Sequence, residues 1–203
     1  MIYKKRPGFN KVFDGAIVQV LQKTLPNGDV HEIARRSPGV RMIIVTPENK
    51  FLISREKRDY LEKGWDYRLP GGKVVDKLPD YLLLLEKLEN GLDGGDLTPT
   101  VQAAVIKESK EEVGITVRNP GLLHISTSGG TIEWDLWYWL VKDFDQGRQE
   151  LEHDEEIEIV EMTPFEVAQL VINKEFSEDR SRVVLMDYLI KYFAEDFMKA
   201  IQK

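Results

Sequence analysis

The sequence predicts an α/β sandwich, a mixed sheet between helices, with an N-terminal β-hairpin and an additional helix. Three observations lead there. Residues 40–45 and 51–55 are rich in strand-forming side chains and flank a turn carrying Pro47 and Asn49, so they read as adjacent central strands. Residues 98–113 form a helical run that opens at Thr98-Pro99 and meets Gly114 at its end. The chain then closes on a strand over 157–162, a helix from Thr163-Pro164 to about Val171, and a long amphipathic helix over 179–200. With 203 residues, 42% hydrophobic and 31% charged, the chain is long enough for one substantial core.

From the N-terminus, residues 11–25 alternate loosely around Val12, Ala16, Val18, Val20 and Leu21 and lead into Asn27-Gly28, a two-residue turn signal. Residues 30–35 supply the return strand of a hairpin. The strand at 51–55 runs into Arg55-Glu56-Lys57-Arg58, and Trp65 and Tyr67 follow before Pro70-Gly71-Gly72. Guanidinium forks and a flat aromatic face suit a diphosphate and a base. A solvated loop for the cations and ordinary core packing for the rings are the plainer alternatives.

Residues 82–88, Leu-Leu-Leu-Leu-Glu-Lys-Leu, are helical by composition, with Pro79-Asp80 near the start and Gly91 after the end. Four consecutive leucines cannot all face water, so this helix is expected to pack rather than act as a lid. Residues 121–126 and 131–141 read as two strands around Ser128-Gly129-Gly130, the second carrying Trp134, Trp137, Tyr138 and Trp139. Residues 149–156 form an acidic loop ahead of the strand at 157.

The helical run at 98–113 carries the chemistry. Glu108, Glu111 and Glu112 stand three and four apart, which places them on one helical face. Like charges so close repel unless neutralised, and a hard divalent cation with oxygen ligands does this well. A merely solvated acidic face is the alternative reading.

Gly72 upstream and residues 107–115 downstream resemble the Nudix box, Gly-x5-Glu-x7-Arg-Glu-U-x-Glu-Glu-x-Gly-U, where U is a bulky aliphatic residue. Gly72 matches the first glycine, and Glu108, Glu111, Glu112, Gly114 and Ile115 fall on their places. Lys107 stands for the Arg, Ser109 for an aliphatic residue and Pro99 for the first Glu. Lys107 lies 35 positions after Gly72 where the pattern has 14, so 21 residues are inserted inside the box, an insertion that runs through 77–96. The resemblance implies a Nudix-type α/β/α sandwich, closest to the ADP-ribose and nucleotide-sugar pyrophosphatases. It implies Mg2+ or Mn2+ held by Glu108, Glu111, Glu112 and the Gly71 carbonyl, with Glu108 and Glu112 catalytic. Arg58 falls on the Arg of that subgroup's Gln-x-Arg segment and Trp65 on its Trp, so Arg58, Trp65 and Arg55 become the substrate contacts. The subgroup's mobile acidic loop implies a general base among Glu152, Glu155 and Glu156; Glu155 is the choice, with His153 as its substitute. The N-terminal hairpin implies a homodimer, or else a simple edge of the main sheet.

Composition sets the limits around this reading. The absence of cysteine excludes a disulfide framework, a thiol nucleophile and a zinc–thiolate site, and fits a cytoplasmic location. The basic residues at 4–6 lack an apolar stretch behind them, so no signal peptide is expected, and no run approaches membrane-spanning length. A net charge of −7 argues against a nucleic-acid partner, and the small-molecule nucleotide that the resemblance implies would need a bridging cation or a local basic cluster for its phosphates. The expected organisation is a hairpin region, residues 1–35, followed by a Nudix domain over 36–203. The expected function is metal-dependent hydrolysis of the diphosphate bond in ADP-ribose or a nucleotide sugar, with a non-catalytic nucleotide sensor as the alternative.

Overall fold

The computed structural model describes residues 6–58, 64–90, 96–153 and 155–202. In chain order the elements are β1 (Asn10–Asp14), β2 (Val18–Thr24), β3 (Val30–Arg36), β4 (Gly39–Val45), β5 (Phe51–Lys57), β6 (Trp65–Arg68) and α1 (Leu78–Glu89). Helix α2 (Thr98–Glu108) runs into a π-helical turn (Ser109–Val113). Then come β7 (Ile115–Val117), β8 (Gly121–Ser126), β9 (Ile132–Glu133), β10 (Leu136–Val141), β11 (Phe144–Gln146), β12 (Ile157–Met162), α3 (Pro164–Ile172), α4 (Asp179–Tyr192) and α5 (Ala194–Ile201). By internal contact the chain falls into two units, one from residues up to 40 with 72–104 and 125–137, the other from 41–71, 105–124 and 138 onward.

The first unit holds a four-stranded sheet of order β1-β2-β3-β9. Its hairpin turns at the expected place, pairing Val18 with Arg36 and Thr24 with Val30. The stretch 11–25, expected to run as one strand, is two. Gly15 N–H donates to the Val18 carbonyl at 2.9 Å, which folds β1 back onto β2 as an extra edge strand. Strand β9 joins β3 in parallel, and Glu133 receives the guanidinium groups of Arg6 and Arg35. Helix α1 buries Leu78, Tyr81, Leu85 and Leu88, a stripe at spacings of three and four, and leaves Leu83 exposed. The leucine run thus packs along one side, as expected of the packed reading.

In the second unit the leading feature is the sheet of order β12-β5-β4-β10-β8, with β6 also on β5. Strand β4 is buried at every position, which is why its sequence reads as an apolar run rather than an alternation. The β12·β5 ladder is antiparallel from Ile157·Glu56 to Met162·Phe51. Helix α3 starts with a capping box in which Thr163 and Glu166 satisfy each other's backbone N–H groups. The long C-terminal helix divides at Phe193, whose φ of −138° ends α4. Its ring packs edge-on against Phe51, 5.4 Å away, while Tyr188 meets Phe51 at 6.1 Å, so tertiary packing overrides a continuous helical pattern. Among the described residues no helix is long and apolar enough to cross a membrane.

Candidate active site

The carboxylates sit where α2 ends. Thr98 is the first helical residue, and ahead of it the Asp96 Oδ1 accepts its N–H at 2.9 Å. After Glu108 the helix widens into its π turn, a feature frequent at functional sites and invisible in a 3.6-residue pattern. Glu108 and Glu112, one turn apart, are both buried, at 8% and 6% exposure. Glu111 is more open and pairs with Lys107 at 3.0 Å.

Gly114 closes the turn in the left-handed region, φ 74°, as the sequence implied. The segment after β11 is stitched to this end. Gly147 N–H donates to the Gly114 carbonyl at 2.7 Å, Glu150 N–H to the Glu111 carbonyl at 2.9 Å, and Gln149 Nε2 to the Glu112 carbonyl at 2.5 Å. A Cβ at Gly114 would stand 2.6 Å from the Gln149 nitrogen, so glycine is required by space as well as by φ.

Glu112 meets the glycine loop directly: the Gly71 N–H donates to its Oε2 at 2.7 Å. Burial pushes the Glu112 carboxyl up to about 8, and the negative charges of Glu56 and Glu108 add to this, while the Gly71 N–H and Arg41 pull the other way. Gly71 has a φ of 143°, open only to glycine, and its carbonyl accepts a hydrogen bond from Arg41 Nη1 at 3.2 Å. Arg41 also forks onto Glu178, Nε to Oε2 at 2.9 Å and Nη2 to Oε1 at 3.3 Å. Burial works to raise the Glu178 carboxyl, but Arg41 and the Ser181 hydroxyl outweigh it and hold the group below the ordinary glutamate value.

The other candidate residues have partners of their own. Arg58 donates to Glu56, which is 3% exposed, lies 3.7 Å from Arg68 Nε, and accepts from Ser54 Oγ at 3.3 Å. Arg58 Nε, although buried, has no hydrogen-bond partner among the described residues. The Arg55 guanidinium stacks on Trp65, 4.7 Å from the ring centre, and reaches Glu158 at 3.1 Å. Glu155 turns back on its own loop, its Oε2 accepting the Glu152 N–H at 3.2 Å. Sequence reasoning passed over Arg41, Glu56, Arg68 and Glu178. The one signal was Glu56, a lone acid within a run of three bases, two positions after Ser54 and therefore on the same face of β5.

A family model described as NUDIX domain matches residues 35–186. The chain belongs to the NUDIX family. It is a Nudix pyrophosphohydrolase of α/β architecture. A curated relative, "Methanol dehydrogenase activator" from Bacillus methanolicus, is 28% identical over 186 residues, 88% of each chain. Among solved structures, "Crystal structure of ADP compounds hydrolase" shares the fold at a TM-score of 0.58 and 15% identity, covering 92% of this chain and 97% of that one.

Nudix hydrolases generally use divalent metals. Among the described residues no three His, Asp or Glu side chains are grouped closely enough to hold a metal ion as they stand. The donor chemistry nevertheless fits one: Glu108 and Glu112 are buried hard-oxygen donors near a third buried carboxylate, Glu56, and the burial and neighbouring carboxylates that push the Glu112 carboxyl up mark a place short of positive charge.

Proposed function

We propose that this Nudix hydrolase cleaves the diphosphate bond of a nucleoside diphosphate linked to another group, ADP-ribose or a nucleotide sugar. Water adds to one phosphorus, the bridging P–O bond breaks, and a nucleoside monophosphate and a sugar phosphate leave. The observation that supports it most is the pair of buried carboxylates, Glu108 and Glu112, on the box helix beside the Gly71 loop. Glu108, Glu111, Glu112 and the Gly71 carbonyl would hold Mg2+ or Mn2+. When bound, the metal offsets phosphate charge and acidifies the attacking water. Glu155 is the proposed proton acceptor, which requires it to leave the Glu152 N–H. Arg58, part-exposed beside Glu56, takes phosphate charge, while Arg55 and Trp65 already form a stacked platform that a base can join. The fold shared with an ADP compounds hydrolase accords with this substrate class.

The proposed unit is a cytoplasmic homodimer acting on small molecules, not on nucleic acid or membranes. Val12, Phe13, Ile17, Val30 and Ile132, exposed on or beside the N-terminal sheet, would form the self-contact. A screen of ADP-ribose, nucleotide sugars and nucleoside triphosphates with Mg2+, reading released phosphomonoester and 18O incorporation from labelled water, tests the substrate class. Far better cleavage of triphosphates would overturn it.

A second reading, a nucleotide sensor or a protein that acts through another enzyme, draws on the Lys107–Glu111 pairing and on the Bacillus methanolicus relative, a methanol dehydrogenase activator. Tight nucleotide binding without product in the same screen would favour it.

A further inference from the structure

We propose that Arg41 and Glu178 are positioning residues: a buried ion pair that fixes the Gly71 backbone and thereby aims the Glu112 carboxylate. This rests on the reading of Glu112 as a metal-holding group. Gly71 is held from two sides. Its carbonyl takes Arg41 Nη1 at 3.2 Å and its N–H gives to Glu112 at 2.7 Å. With φ at 143°, glycine has no Cβ to bar neighbouring conformations, so the direction of its N–H depends on what grips the carbonyl.

The grip is rigid for a physical reason. A guanidinium fork on a carboxylate fixes direction as well as distance, and Glu178 is itself held by the Ser181 hydroxyl, which lies 3.2 Å from the Tyr138 hydroxyl. The chain of contacts therefore runs from β10 and α4 through β4 to the glycine loop and ends on the box helix. Arg41 and Glu178 side chains are only 10% and 12% exposed. A buried ion pair gains little net stability over an apolar pair of the same shape, because desolvation consumes the Coulomb attraction. Geometry is what an apolar pair could not supply here.

The test uses the full chain with Mn2+ as probe and no nucleotide. Arg41→Lys removes the fork, Glu178→Gln removes the charge, and Arg41→Met/Glu178→Met removes both charges together. Circular dichroism and thermal unfolding check the fold. Mn2+ affinity is read by electron paramagnetic resonance of the free ion, and the Gly71 amide resonance by NMR. Each variant is expected to bind Mn2+ about tenfold or more weakly, as loss of outer support for metal ligands does. The Gly71 amide should shift, and turnover should fall through kcat with the nucleotide KM within about twofold. The double variant recovers stability over the single ones yet keeps the weak Mn2+ binding, which a merely structural role would not do. Wild-type Mn2+ affinity in Glu178→Gln and in the double variant, with Glu112→Gln losing the ion, overturns this inference alone. Wild-type affinity in Glu112→Gln as well overturns it together with the metal reading beneath it.

Discussion

Replacing Glu112 with Gln should stabilise the metal-free protein at alkaline pH even as it removes turnover. A carboxyl whose native pKa lies above its unfolded value binds its proton more tightly when folded. Its contribution to stability is therefore whole below pH 4.5, the ordinary value, and is lost as pH rises to about 8, the folded value. At roughly 1.4 kcal/mol per pH unit, one proton carried across that window amounts to something on the order of 5 kcal/mol. Gln removes the titration, while its amide oxygen can still accept the Gly71 N–H that now reaches Glu112. Titrating groups remote from Glu112 are common to both proteins and cancel in the difference, which leaves Glu112 and the carboxylates coupled to it, Glu56 and Glu108. The assay is urea unfolding in chelator at pH 5, 6.5 and 8, with equal m-values as the check on two-state behaviour. Stability of the wild type should fall with pH relative to the variant, most steeply midway between the two values and flattening toward pH 8, leaving Glu112→Gln ahead by several kcal/mol at the top of the range. Parallel curves would refute the reasoning, since Glu112 would then be charged and satisfied without a cation.

Gly114→Ala should destabilise by about 2–4 kcal/mol, because a left-handed residue acquires a Cβ that meets residues 148 and 149; thermal unfolding and loss of Mn2+ binding read it together. Arg58→Ala should raise KM for a diphosphate substrate about tenfold and move kcat less, the mark of uniform binding lost; equal loss in kcat and kcat/KM would give Arg58 a role in the chemical step. Thr163→Ala opens the capping box of α3 and should lower stability by about 1 kcal/mol with turnover unchanged.

What could be read in the chain was what repeats locally. The capped helix at Pro164, the strand Ile157–Met162, the Asn27-Gly28 hairpin and left-handed Gly114 all follow from propensity and turn chemistry within a few residues. Tyr138 and Trp139 sit in the buried β10 as their aromatic run suggested, but Ser128–Glu133 gave a two-residue parallel strand that no local pattern announces. The division at Phe193 depends on Phe51, far away in sequence. The same separation hides the polar frame of the site. Glu178 meets Arg41 across 137 positions and Arg41 meets Gly71 across 30, and each is, taken alone, one charged residue among many. Motif spacing singled out Glu108, Glu111 and Glu112 because they stand within a few residues at the end of α2 and on the π turn after it, whereas Arg41 comes from β4 and Glu178 from the residue ahead of α4.

The charges around the box helix suggest why a cation belongs there. Arg41 is turned to Glu178 and the Gly71 carbonyl, and Arg58 to Glu56. Both guanidiniums are thereby aligned with groups at the edge of the Glu108/Glu112 pair. Glu112 is left with one backbone N–H and the more distant field of Arg41 against its own burial and two neighbouring carboxylates. Retaining a proton up to about pH 8 is one way to answer that imbalance. A divalent ion is another, and it competes with the proton for the same oxygens, so its uptake near neutral pH should release close to one proton per Glu112. Calorimetric titration with Mn2+ in buffers of different ionisation enthalpy measures that release. It should fade above pH 8, where the proton has already gone, and it should vanish in Glu112→Gln. Uptake with no proton released at pH 6.5 would mean that the ion binds away from Glu112, and the charge argument for the site would fall with it.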